Sequence, residues 1–126
     1  MSDLHKNAHL LVSAIIVVAA AFIYGLNPEK ILPVFLGFNV EVLELKNIFR
    51  AVMGLYLAFA GYWFFGVLNR YHWKNATITN VLFMGGLVFG RVISTVFDGI
   101  SLKYSIGLIG ELILFLWGVY NLRKKV

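Results

Sequence analysis

Four ionisable side chains interrupt long uncharged stretches of this sequence: Arg50 in "LKNIFRAVMG", Arg91 and Asp98 in "GRVISTVFDG", and Glu111 in "IGELILF". In an apolar setting, such residues can do two kinds of chemistry. A guanidinium carries its N–H donors in a rigid fork and can grip a phosphate or carboxylate through two parallel bonds. A glutamate taken out of water can serve as a general acid or base. Asn80 and Ser94 add hydrogen-bonding groups to the same set. They stand 11 and 3 residues from Arg91, offsets that return to nearly the same angle on a helix. Thr95 and Asp98 share that face. The candidate ligand-binding residues are therefore Arg50, Arg91, Asp98, Glu111, Asn80 and Ser94; none is assigned as catalytic and none as a metal ligand.

The elements that must hold these groups are set by composition. The chain has 126 residues, of which 60% are hydrophobic and 13% charged, too few polar residues to cover a water-facing surface. Apolar runs cover residues 8–26, 47–69, 77–97 and 104–122, each about 20 residues, enough helix to cross about 30 Å of hydrocarbon. The expected fold is all-α, an integral membrane four-helix bundle forming a single transmembrane domain over residues 1–126. The first run is too long for a signal peptide and reads as a true span. With no cysteine in the sequence, disulfides and thiolate metal sites are excluded.

Charge orients the bundle. Both termini and the 70–76 loop fall on one side, which carries Lys6, Arg70, Lys74, Arg123, Lys124 and Lys125 against Asp3 alone. The other side balances Lys30, Lys46 and Lys103 with Glu29, Glu41, Glu44 and Asp98. Cytoplasmic loops carry the lysine and arginine excess, so the expectation is a multi-pass protein of a bacterial inner membrane with both termini cytoplasmic. The net charge of +5 follows from this asymmetry and calls for no nucleic acid. Tyr24, Tyr71, Trp73, Tyr104, Trp117 and Tyr120 fall at span ends, where half-polar rings anchor at the interface. The longest connection, residues 27–46, opens with Asn27-Pro28, which cannot continue a helix. Its "NVEVLEL" segment fits either a short strand or an amphipathic turn.

Depth and face bring the charges together. Arg91 and Glu111 each lie about six or seven residues below the outer interface, near 10 Å deep at about 1.5 Å per residue, and Arg50 lies one turn in. Small residues share their faces: Gly54, Ala58 and Gly61 with Arg50, and Gly107 and Gly118 with Glu111. Small residues mark close helix approach, so the charges are expected to point into the bundle. Gly86 and Gly90 form a GxxxG pair on another side of the third span. A lone charge at this depth costs at least about 2.5 kcal/mol, and Glu111 is the expected partner of Arg91. Two arginines then face one glutamate. Asp98, Glu41 or Glu44 could neutralise the surplus; otherwise the site is an anion pocket suited to a lipid phosphate or a carboxylate-bearing amphiphile.

The strings "LKNIFRAVMGLYLAFAG", "LFMGGLVFGRVISTVFDG" and "IGELILFLWG" resemble the DUF4345 family of small four-span bacterial membrane proteins. Arg50, the Gly85, Gly86, Gly90 and Arg91 segment, Asp98-Gly99 and Glu111 carry the likeness, with Pro28 and Pro33 in the outer loop. Met53-Gly54 stands where the family often has two glycines. The resemblance implies the four-span fold and supplies no reaction.

His5 and His9 lie four residues apart, with His72 on the same side, but they lack nearby carboxylates and read as solvated interfacial residues rather than a zinc site. No nucleotide loop, nucleophile elbow or haem motif is present, so no cofactor is expected. Three readings follow. The chain is a non-enzymatic lipid or amphiphile binder with a buried Arg/Glu/Asp cluster; or an intramembrane enzyme with Glu111 as acid or base; or a structural subunit in which the buried pair sets helix register. Expected partners are membrane lipids, a second copy or another membrane subunit, and no nucleic acid.

Overall fold

A computed structural model describes residues 2–125. Side chains are described from residue 4 to residue 124, so the side chains of Asp3 and Lys125, both counted in the charge asymmetry, lie outside the description. Among these residues the structure is helical and has no strand. Helix α1 covers Ser2–Gly25, α2 Pro28–Phe35, α3 Leu43–Leu68, α4 Trp73–Asp98 and α5 Leu102–Lys125; a 3₁₀ turn, Arg70–His72, precedes α4. Four of the helices (α1, α3, α4 and α5) are long and apolar enough to cross a membrane. Each begins before its expected apolar run, and the expected 70–76 loop shrinks because α4 already begins at Trp73.

The boundaries have local causes. Pro28 disfavours helix at Asn27 and starts α2 at its first position. That helix ends where the amides of Leu36 and Gly37 turn back to the Leu32 carbonyl at 2.8 and 3.1 Å. Gly37 takes φ 79° there, a left-handed conformation natural to glycine at a helix C-terminus. The "NVEVLEL" segment is therefore no strand: residues 38–42 are irregular and Leu43 opens α3. Asn69 ends α3, and its side chain accepts the Tyr71 amide at 3.0 Å, the local turn asparagine favours.

The long helices run up, down, up and down. Gly25 of α1 meets Phe49 and Met53 of α3, while Leu10 reaches Gly66; Gly107 meets Arg91 and Gly118 meets Val81. Both termini therefore lie at one end, and α2 crosses the opposite end, with Pro28 and Leu32 buried. The most extensive packing is α1 on α3 and α4 on α5. Leu10, Ala14, Val17, Ala60, Trp63, Ala76 and Met84 form the core. An aromatic chain threads it: Tyr24 edge-on to Tyr56 at 5.9 Å, Tyr56 to Phe83 at 5.0 Å, and Phe83 to Trp63 at 5.2 Å. Trp63 also donates to Thr79 Oγ1 at 3.1 Å.

In α3 the packed face differs from the expected one. A Cβ on Gly54 or Gly61 would meet nothing within 4 Å, and Ala58 is exposed. The close approach is at Gly66, where a Cβ would come within 2.5 Å of Ala76. Small residues mark helix contacts only when the neighbouring helix lies on their side, and the aromatic face carrying Tyr56 and Trp63 is the one α3 turns inward.

Candidate functional site

Arg91 and Glu111 meet across the α4–α5 seam. Arg91 Nε donates to Glu111 Oε1 at 2.7 Å and Nη2 to Oε2 at 3.1 Å, the fork geometry that makes such a pair both strong and directional. The seam is close because α5 has Gly107 there: a Cβ would stand 3.6 Å from the Arg91 guanidinium. Within the bundle alone the two side chains retain 22% and 16% of their exposure, so the pair is half-buried and edges on open space. Tyr104 places its ring 5.6 Å from the guanidinium carbon, and Tyr24 lies beside the same group.

That open space is a cleft of about 520 Å³ between α1 and α5. It is lined by apolar groups along its length, including Val12, Ile16, Leu114 and Trp117, and reaches Tyr24, Tyr56, Arg91 and Glu111 at one end. The cleft exists because α1 and α5 touch mainly near the termini. There His9 Nε2 bonds to the Leu114 carbonyl at 3.0 Å and His5 Nδ1 to Asn121 Oδ1 at 3.2 Å. Farther along, Gly110 leaves a gap on α5: a Cβ there would meet nothing within 4 Å.

The other sequence candidates are distributed differently. Arg50 is exposed and donates through Nη1 to the carbonyls of Gly25 and Leu26 at 3.0 and 3.2 Å. It caps the carbonyl end of α1, where a cation is favoured by the helix dipole. Asp98 is exposed and accepts from Ser94 Oγ at 2.9 Å. Among the described residues no ion pair joins Asp98, Glu41 or Glu44 to either arginine. Asn80 lies 11 residues before Arg91 on α4, about 16 Å deeper along the axis, and is fully buried. The expected surplus of positive charge beside Glu111 therefore has another explanation: Arg50 is compensated by backbone carbonyls, and Arg91 is neutralised in its pair.

The histidines correct a further expectation. His9 is fully buried, not solvated. Ser13, Thr77, Asn80 and Asn121 are buried polar residues as well, all at most 2% exposed. His9 Nδ1, Ser13 Oγ, Thr77 Oγ1, both Asn80 side-chain polar atoms and Asn121 Nδ2 have no hydrogen-bond partner among the described residues. The signal for these residues was present: His9 and Ser13, and likewise Thr77 and Asn80, repeat at helical spacing inside otherwise apolar spans. Trp73, expected as an interfacial anchor, is 6% exposed and donates to the Lys6 carbonyl at 3.4 Å. No group of three or more His, Asp or Glu side chains suited to a metal occurs among the described residues.

Four antiparallel spanning helices with an ion pair bridging two of them define a small multi-pass membrane protein. The family model of DUF4345, a domain of unknown function, matches residues 6–121, and the chain belongs to that family. Comparison with curated proteins and with solved structures gives no match.

Proposed function

We propose that the protein binds a lipid or lipid-like amphiphile in the α1–α5 cleft, with the acyl part along Val12, Ile16, Leu114 and Trp117 and the polar part at Arg91, Glu111 and Tyr24. The observation that carries this reading is the cleft's polarity: a long apolar trough with its hydrogen-bonding groups gathered at one end. An amphiphile has the same division. Because Arg91 and Glu111 neutralise one another, the polar part need not be an anion; it has to accept hydrogen bonds from the guanidinium protons left outside the pair. Ser94 and Asp98 extend the proposed site toward the end of the bundle, whereas Arg50 and Asn80 serve structure. The membrane is proposed to be a bacterial inner membrane, with both termini cytoplasmic, on the basis of the lysine and arginine excess at the terminal end.

An acid–base enzyme is the weaker reading. Both oxygens of Glu111 already accept from Arg91, which leaves the carboxylate little to exchange with a substrate. An oligomer or accessory role has one supporting feature, the open α4 face at Gly86 and Gly90, where an added Cβ would meet nothing within 4 Å.

The deciding experiment is native mass spectrometry of the gently extracted protein beside Gly110→Leu, whose new side chain would fill the cleft without touching the packed faces. A lipid-mass adduct on the native chain that is lost in Gly110→Leu is the expected result. Equal adducts on both, or none on either, would sink the proposal, and the same spectra read subunit number.

A further inference from the structure

The geometry points to the head group this site takes: a zwitterionic phospholipid head whose phosphate faces Arg91 and whose primary ammonium faces Asp98 and the neighbouring hydroxyl oxygens. The inference rests on the reading of the α1–α5 cleft as a lipid site and adds the chemistry of the polar end.

A second, smaller pocket of about 260 Å³ shares Arg91 with the cleft. Its other polar walls are Ser94, Thr95, Ser101, Tyr104 and Ser105, at the end of α4 and the start of α5. Asp98 lies seven residues past Arg91 on α4, about 10 Å nearer the end of the bundle. The cleft therefore runs inward from Arg91 at hydrocarbon depth, and the pocket runs outward from it toward head-group depth.

Three of the five hydroxyls of this pocket have already committed their protons. Ser94 Oγ donates to Asp98 at 2.9 Å, Thr95 Oγ1 to the Arg91 carbonyl at 2.9 Å, and Ser105 Oγ to the Ser101 carbonyl at 2.8 Å. A hydroxyl has one proton and two lone pairs, so what these three present outward is acceptors. Asp98 does not line the pocket itself but adjoins it through Ser94, and among the described residues no cation pairs with its carboxylate. It is also the last residue of α4, the end of the helix dipole that disfavours an acid, so its charge is not there for the helix. At the inner end the pocket is walled by Arg91, whose bonds to Glu111 use Nε and Nη2; the guanidinium N–H groups outside that pair are the donors there, shared with Tyr24.

Donors at the deep end and acceptors at the shallow end are complementary to a ligand with the reverse order. A phosphate ester followed by a primary ammonium has that order, and its three N–H groups match the carboxylate and hydroxyl oxygens. A trimethylammonium head has no N–H to give and is held by open aromatic faces; the ring lining this pocket, Tyr104, already holds Arg91 at 5.6 Å. A phosphoglycerol head supplies donors but brings a net negative charge between Asp98 and Glu111.

The test uses the full chain in vesicles with equal parts of phosphatidylethanolamine, phosphatidylcholine and phosphatidylglycerol bearing identical acyl chains. Lipid retained after extraction is read by native mass spectrometry for the native protein, Asp98→Asn and Ser94→Ala. The expected result is about tenfold enrichment of the ethanolamine lipid, the scale of one lost charge-assisted hydrogen bond. Asp98→Asn should keep total lipid and lose that enrichment, and Ser94→Ala should weaken it. Retained lipid without head-group preference, a preference for phosphatidylglycerol, or an ethanolamine preference unchanged in Asp98→Asn overturns the head-group inference alone. No retained lipid of any kind overturns the cleft reading and this inference together.

Discussion

The imidazole of His9 fills the space a side chain at Gly118 would need across the α1–α5 seam: a Cβ on Gly118 would stand 3.0 Å from both Cε1 and Nε2 of the ring and 2.8 Å from Val81. The same Nε2 bonds to the Leu114 carbonyl one turn away. A carbonyl can only accept, so this nitrogen carries a proton. Gly118→Ala should push the ring off that carbonyl and lower stability by about 1–3 kcal/mol, the usual cost of overpacking. Gly86→Ala, whose Cβ meets nothing, should be neutral. Unfolding in mixed detergent micelles compares the two, and equal stability of both variants would show that the seam yields freely.

The ion pair should behave as one unit. Removing only Arg91 or only Glu111 leaves a lone charge within the hydrocarbon, and each alanine variant should lose about 3 kcal/mol. The double variant Arg91→Leu with Glu111→Leu should recover most of that loss, since apolar replacements of a buried pair are often nearly neutral. A double-mutant cycle on the same unfolding measurement gives the coupling; additive losses would mean that the two residues act separately.

Arg50 should matter little. It is exposed, and its bonds go to the carbonyls that end α1, so Arg50→Ala should cost about 0.5 kcal/mol through the helix dipole. Lipid adducts should be unchanged. A loss of adduct as large as that of Gly110→Leu would return Arg50 to the site.

Trp63 is fully buried within the aromatic chain. Trp63→Ala should cost about 3–5 kcal/mol, while Trp63→Phe, which loses the bond to Thr79 and little volume, should cost about 1 kcal/mol. A smaller gap between the two would place the stabilisation in the hydrogen bond rather than in packing.

Much of this architecture was legible because the bilayer reduces the problem to counting apolar runs. The four spans and the Arg91–Glu111 encounter followed from helix rise and period alone. What the sequence hid was azimuth. Gly54 and Gly61 marked a helix face correctly but gave no indication that the neighbouring helix lies on the aromatic side, and Arg50 had the right depth while pointing at a helix end instead of at Glu111. Asn80 shared an angle with Arg91 yet lay too deep to join it. His9 was misread for a related reason: a histidine near the start of a span looks interfacial until the helix is seen to begin at Ser2, which carries the residue a further turn inward.

The cleft lies between the first and the last helix of the chain, and this fixes when it comes into being. During synthesis α1 can pair with α3 before α5 has been made, so the trough lacks its α5 wall until residues 107–117 enter the membrane. The floor is laid early and the closing wall arrives last, clasped to α1 near the termini by His5 and His9. The proposed amphiphile then has two ways in, sideways from the surrounding leaflet or from the Arg91 end, where the smaller pocket continues outward.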